Sequence, residues 1–255
     1  MRSALLFAAG LSISCIATAA SADNRHFTFV YEALTPQKGE IEYEQWTTYA
    51  HRTYEDPKYN SVMFRHELEY GITDRWMAAL YLPDWEVRSG ELIENDGPHF
   101  DDVAVESIYQ LSDPRTNWLG AAAYGEVKVG PEEVELEPKL ILQKNAGPFT
   151  FAYNIAPEAE WEGENLGHLD EHNLVLVQSA GASFELTPAW SIGVEAEYTI
   201  EWADWSHPQD DQLIAGPNVA WRHSRFWATL APMYGVVRNG ETPEFQVRLL
   251  FGFEF

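Results

Sequence analysis

The sequence predicts an all-β protein, a single 12-stranded antiparallel up-and-down transmembrane β-barrel. Three observations predict it. Apolar and polar residues alternate with a period close to two along nearly the whole chain, the pattern of a half-buried strand. The extended segments exceed the usual strand mode of about 5–6 residues and approach the length that crosses a tilted bilayer wall. The connections alternate between short turns and longer, more acidic pieces, as between the two rims of such a barrel.

The segments follow in order. The first, 39–51, carries Glu42 and Glu44 on one face, with Tyr49 near its end. In 60–72 the pattern is complete: Val62, Phe64, His66, Leu68, Tyr70 and Ile72 alternate with Met63, Arg65, Glu67, Glu69 and Gly71. Thr73-Asp74 turns the chain into 75–84, which has Trp76 and Tyr81. The acidic stretch 84–99 leads to 101–111, with Glu106 and Tyr109, and the turn 111–117 leads to 118–129, with Trp118 and Glu126. A Gly130-Pro131 turn is the one short connection where a long loop is expected. Then come 133–143 (Glu135, Glu137, Lys139), the turn 144–148 and 149–160 (Phe149, Glu158, Glu160). The loop 161–172 precedes 172–186, and Thr187-Pro188 precedes 189–202 (Trp190, Glu195, Glu197, Trp202). The loop 203–212, then 212–222 (Trp221, Arg222), His223-Ser224 and 225–237 (Phe226) lead to the last segment, 243–255. An even number of strands puts both chain ends on the periplasmic side. Pro138, Pro157, Pro217 and Pro232 fall inside segments, where each removes a ladder donor, so bulges or register breaks are expected there.

The last segment places Phe245, Val247, Leu249, Phe251, Phe253 and Phe255 on one side, against Glu244, Gln246, Arg248, Leu250, Gly252 and Glu254 on the other. Its closing partner is the first strand, because an unpaired edge is not tolerated in hydrocarbon. The run Leu249, Phe251, Phe253, Phe255 resembles the C-terminal signature of Gram-negative outer-membrane barrels, which implies recognition by the barrel-insertion machinery. Residues 31–46, YEALTPQKGEIEYEQW, resemble the opening of an uncharacterised group of proteobacterial outer-membrane proteins. More loosely, they resemble the barrels associated with phenol-degradation and transport operons. Both resemblances imply location and fold, without an activity.

Residues 1–22 read as a secretory signal peptide: Arg2, an apolar stretch from about Ala4 to Ala17, and Ala20-Ser21-Ala22 as the cleavage site. The barrel then occupies 23–255, and the one cysteine, Cys15, leaves with the signal. Beyond it no run approaches the roughly 18 apolar residues of a spanning helix. Aromatic residues at strand ends (Tyr49, Tyr70, Trp76, Tyr81, Tyr109, Trp118, Phe149, Trp161, Trp190, Trp202, Trp221, Phe226, Phe255) suit an interfacial belt.

Forty carboxylates against sixteen Lys and Arg give a net charge of −24, which excludes a general nucleic-acid role because phosphate contacts need the opposite sign. The acids are patterned. Glu42/Glu44, Glu67/Glu69, Glu135/Glu137, Glu158/Glu160 and Glu195/Glu197 are pairs at i and i+2, about 6.8 Å apart on one side of a strand. With Glu106 and Glu126 they point into the lumen, where Arg65, Lys128, Lys139, Arg222 and Arg248 are the inward bases. So many charges in a dry interior would carry a prohibitive desolvation penalty, so a water-containing lumen is expected.

The expected function is a small, porin-like outer-membrane channel of a Gram-negative bacterium, passing small cationic or neutral solutes by passive diffusion. A closed barrel serving structure or surface interaction is the alternative, and an outer-membrane lipid-modifying hydrolase a further one. For a hydrolase the only pairing at hand is His66 with Ser107, with no third residue to orient the base; no catalytic residue, cofactor or metal is expected. Loop residues His168, Asp170, Glu171 and His172, or His99, Asp101 and Asp102, suit weak cation contact rather than a dedicated site. The expected partners are outer-membrane lipid, lipopolysaccharide, the insertion machinery and small solutes, with the barrel a monomer.

Overall fold

The computed structural model describes residues 25–93, 97–203 and 205–255; the expected signal peptide lies outside them. Its strands are β1 (Ile41–His51), β2 (Asn60–Thr73), β3 (Trp76–Ser89), β4 (Gly97–Phe100), β5 (Val103–Ser112), β6 (Gly120–Val129) and β7 (Glu133–Ala146). They continue with β8 (Phe149–Asn165), β9 (His168–Thr187), β10 (Trp190–Ala203), β11 (His207–His223), β12 (Phe226–Val237) and β13 (Phe245–Glu254). Twelve close into one antiparallel ring. Sequential neighbours pair, β3 pairs directly with β5, and β13 returns to β1. No described helix is long and apolar enough to cross a membrane.

Closure runs from Glu42↔Glu254 to His51↔Phe245, and the Phe255 N–H donates to the Ile41 carbonyl at 2.9 Å. The final aromatic therefore sits within the seam rather than beyond it. No edge of the ring is left to pair with another chain.

β4 is the strand the sequence pattern did not yield. Among the described residues it pairs only with the upper part of β3, from Trp85↔Phe100 to Arg88↔Gly97, so most of the stretch expected as a loop at 84–99 is a hairpin above the ring. The other acidic loops are likewise largely strand: β8 and β9 stay paired out to Asn165↔His168, and β10 and β11 to Ala203↔His207. Polar residues on both faces are compatible with a ladder that stands in water, and period-two hydrophobicity cannot detect such a strand.

The prolines also depart from expectation. Leu136↔Ala159 and Leu140↔Ile155 share one unshifted register, which sets Pro138 opposite Pro157. Ala215↔Tyr234 and Val219↔Leu230 do the same for Pro217 and Pro232. Two residues without an N–H face each other in both cases, so the missing donors fall at shared gaps and no bulge forms there. Prolines outside these four do mark shifts: the β2–β3 register slips between Phe64↔Trp85 and His66↔Leu82, around Pro83, and the β10–β11 register slips between Glu201↔Asp210 and Trp202↔Pro208.

The outer surface is apolar, with Leu68, Leu80, Val105, Leu140, Val194, Leu230 and Leu249 exposed. At the end carrying the short turns, Tyr70, Trp76, Tyr109, Trp118, Phe149, Trp190, Phe226 and Phe255 are exposed, and Phe253 lies against both Phe226 and Phe255. Tyr81, expected in that belt, is instead wholly buried inside the ring, 0% exposed. It follows Met77 and Ala79 at the inward phase of β3.

Candidate functional site

Residues 25–35, RHFTFVYEALT, have no strand of their own and lie inside the turn-end half of the barrel. Phe27 and Ala33 are 0% exposed, and Thr28, Phe29, Val30, Tyr31, Glu32 and Thr35 are buried as well. A buried backbone must find partners for its N–H and C=O groups, and inward side chains of the wall supply them. Glu195 accepts from the N–H of Thr28 at 2.8 Å, from the N–H of Phe29 at 2.7 Å and from the Thr28 hydroxyl at 3.1 Å. Asn154 brackets Tyr31, accepting from its N–H at 2.6 Å and donating to its carbonyl at 3.0 Å. Gln143 accepts from the Ala33 N–H and Gln110 donates to the Ala33 carbonyl, at 2.8 and 2.7 Å. Thr229 donates to the Arg25 carbonyl and Arg248 to that of Thr28, at 2.6 and 3.3 Å.

The segment also carries charge into the acidic wall. Arg25 Nε lies 3.1 Å from Glu44, and its Nη2 lies 3.5 Å from Glu69 and 3.9 Å from Glu67, with the guanidinium over the rings of Tyr31 and Trp46. Tyr31, Ala33, Trp46, Met77, Ile141, Trp227 and Leu250 share one apolar cluster. The ring of Phe27 rests on Gly181, where a Cβ would sit 2.5 Å from it. This half of the lumen is packed protein, which corrects the expectation of a water-containing bore along its length. The physical reason is that part of the acid excess is answered by a cation and by backbone donors from a segment outside the alternating pattern.

Above this plug the lumen opens. A cavity of about 290 Å³ has Phe29 and Tyr31 on its floor and Glu137, Lys139, Glu158, Glu197 and Arg248 on its walls; a second, of about 170 Å³, is lined by Arg65, Asp84, Asp101, Asp102, Lys128 and Arg248. Ion pairs cross this region: Arg65 with Asp84 at 2.9 Å and Glu126 at 3.4 Å, Lys128 with Glu135 at 3.0 Å, and Lys139 with Glu137 at 2.6 Å.

The residues expected in the lumen thus divide into three groups. Glu42, Glu44, Glu67, Glu69, Glu106 and Glu195 are buried beside the plug or the packed core around it, where Glu106 accepts from the Tyr81 hydroxyl at 2.7 Å and Glu42 from the Trp227 indole. Arg65, Glu126, Glu135, Glu137, Lys139, Glu158, Glu197 and Arg248 surround the open half. Arg222 lies at the turn-end rim, pairing with Glu185 at 2.7 Å and donating to the Pro188 carbonyl.

The entertained catalytic pair is not assembled. The His66 imidazole is hydrogen-bonded to the Tyr43 hydroxyl at 2.7 Å, and Ser107 is held by the Trp76 indole and the Met77 carbonyl. Among the described residues, carboxylates close enough to share an ion occur in the lumen, at Glu44/Glu67/Glu69, Glu126/Glu135/Glu137 and Glu135/Glu158/Glu160, rather than in the loops.

Sequence reasoning missed residues 25–35. A signal was present in Gln110, Gln143, Asn154, Ser179, Asn218 and Thr229, neutral hydrogen-bonding side chains at inward positions, which fit a backbone threaded through the barrel better than a water-filled bore.

The model of one protein family matches residues 19–249. The chain belongs to that family, a family of unknown function (DUF6662). No curated protein matches it. Among solved structures it is similar to the NanC porin, with a TM-score of 0.57 at 10% identity over 84% of this chain and 98% of that one. It is also similar to the beta domain of the Bordetella autotransporter Brka, with a TM-score of 0.53 at 9% identity over 86% and 100%. At such identities the likeness shows the outer-membrane barrel fold, which a porin and an autotransporter domain share.

Proposed function

We propose that the protein is a porin-like channel of the Gram-negative outer membrane, closed at its periplasmic end by residues 25–35. With the plug displaced it passes small cationic or neutral solutes. The observation that carries this reading is the pairing of a packed, segment-filled lower lumen with an open, charged upper one. Removing the segment would leave Glu42, Glu44, Glu67, Glu69, Glu106 and Glu195 facing a bore without Arg25, and a ring of carboxylates favours cations. The apolar exterior with its aromatic belt supports a lipid setting, with lipopolysaccharide around the acidic hairpins and the insertion machinery reading the last strand. On this reading the likeness of residues 31–46 to a proteobacterial barrel group covers the end of the plug and the start of β1 together, and the barrel acts as a monomer.

The near-complete burial of the plug favours a second reading, a permanently closed barrel presenting its hairpins to the surface. Planar-bilayer recording separates the two. Wild-type protein should show rare, brief openings, and a chain lacking residues 23–35 a steady cation-selective conductance. Glu195→Ala, which leaves the segment in place but unfastened, should fall between. Silence from all three, with each folded by heat-modified migration, supports the closed barrel and overturns the channel.

A further inference from the structure

We infer that Glu44, Glu67 and Glu69 form a divalent-cation site, suited to Ca2+, which the guanidinium of Arg25 occupies while the plug is seated. Their candidate ligand oxygens all lie within 4.8 Å of one another. Ca2+ takes several carboxylate oxygens in flexible geometry, whereas Mg2+ demands near-ideal octahedral geometry, keeps several waters and is held by one or two carboxylates. Three buried carboxylates converging on one point therefore suit Ca2+ better than Mg2+.

A second observation points the same way. Glu67 is 0% exposed, yet neither of its carboxylate oxygens accepts a hydrogen bond, and its contact with Arg25 is the longest of the three at 3.9 Å. A buried carboxylate aimed into a cluster without a donor is under-coordinated as an ion-paired group and well placed as a ligand. One guanidinium brings a single positive charge to three acids; a divalent ion brings two and can bind all three directly. Cation and plug then compete for one position, so that a divalent ion favours the displaced segment. That competition rests on the channel reading, but the existence of the site does not.

The test uses the full mature chain refolded in detergent, with Tb3+ as the probe because it shares the oxygen preference of Ca2+. Trp46, whose indole donates to Glu44 at 3.0 Å, serves as the local sensitiser. Arg25→Gln should bind one Tb3+ at least tenfold more tightly than wild type or Arg25→Lys, with Ca2+ displacing it better than Mg2+. Adding Glu67→Gln should weaken that binding at least tenfold. If Arg25→Gln refolds poorly, its yield should rise with CaCl2 but not with NaCl of equal ionic strength, and Glu67→Gln should abolish the rescue. Binding no tighter than in wild type, binding indifferent to Glu67→Gln, or a poor yield that Ca2+ does not raise overturns the site. Conductance does not enter the readout, so a barrel that never opens can still carry it.

Discussion

Glu195 accepts the backbone N–H of Thr28 at 2.8 Å, so a carboxylate placed by strand alternation to line a bore instead fastens the segment that fills it. The same carboxylate holds the Phe29 N–H and the Asn218 amide, four donors in all with the Thr28 hydroxyl.

Glu195→Ala strands two backbone donors of the plug, and buried unsatisfied groups cost about 1–3 kcal/mol each. Even about 2 kcal/mol should raise the population of the unseated segment roughly 30-fold. The measure is the thiol-labelling rate of Ala33→Cys in a chain without Cys15, since Ala33 is 0% exposed when the plug is seated. Glu195→Gln, which keeps one acceptor oxygen, should give a smaller increase.

Gly181 lies under the Phe27 ring, with no room for a Cβ. Gly181→Val should therefore unseat the plug and raise labelling at Ala33→Cys at least tenfold, while leaving the ring of strands folded. Phe27→Ala removes the obstacle together with its own packing. In the double variant the effects should be non-additive, no worse than Phe27→Ala alone, as expected for residues in contact. Strictly additive effects would separate the two residues.

The seating of the plug should depend on pH through His26. Burial opposes a charged imidazole, but the Glu32 carboxylate, 3.0 Å from Nδ1, outweighs it and raises the His26 pKa. Burial likewise opposes ionised Glu32, and His26 overcomes it and lowers the Glu32 pKa. A raised histidine contributes fully below its unfolded value of about 6.5 and loses that contribution as pH rises through the folded value. A lowered glutamate contributes fully above its unfolded value of about 4.3 and loses it as pH falls through the folded one. Arg222 opposes and Glu185 supports the imidazolium as well. Labelling of Ala33→Cys, corrected for thiolate ionisation, should therefore accelerate in wild type as pH rises from about 6.5 through the raised His26 value. The acceleration should be absent in His26→Gln.

The ring itself was legible in the sequence because its outer face must be apolar wherever it meets lipid, and alternation such as Val62 to Ile72 records that demand residue by residue. The inward phase follows from the same count, and Glu42, Glu67, Glu106 and Glu195, which it turns inward, are buried. What occupies the interior left no periodic trace. Residues 25–35 are held by side-chain amides and carboxylates scattered over β5, β7, β8 and β10, a long-range match that no local pattern encodes. Alternation alone therefore assigns the acid excess to water, whereas Arg25 and the N–H groups of Thr28 and Phe29 meet part of it. The hairpin extensions around β4 and at the ends of β8 and β9 were missed for the complementary reason, that a strand polar on both faces reads as a loop.

Hydrogen–deuterium exchange over residues 25–35 of the refolded barrel tests the seated plug most directly. The amides of Thr28, Phe29, Tyr31 and Ala33 donate to buried wall side chains and should exchange as slowly as those of neighbouring barrel strands. Exchange of those four amides within seconds, at the rate of a free chain end, would contradict a segment lodged in the lumen.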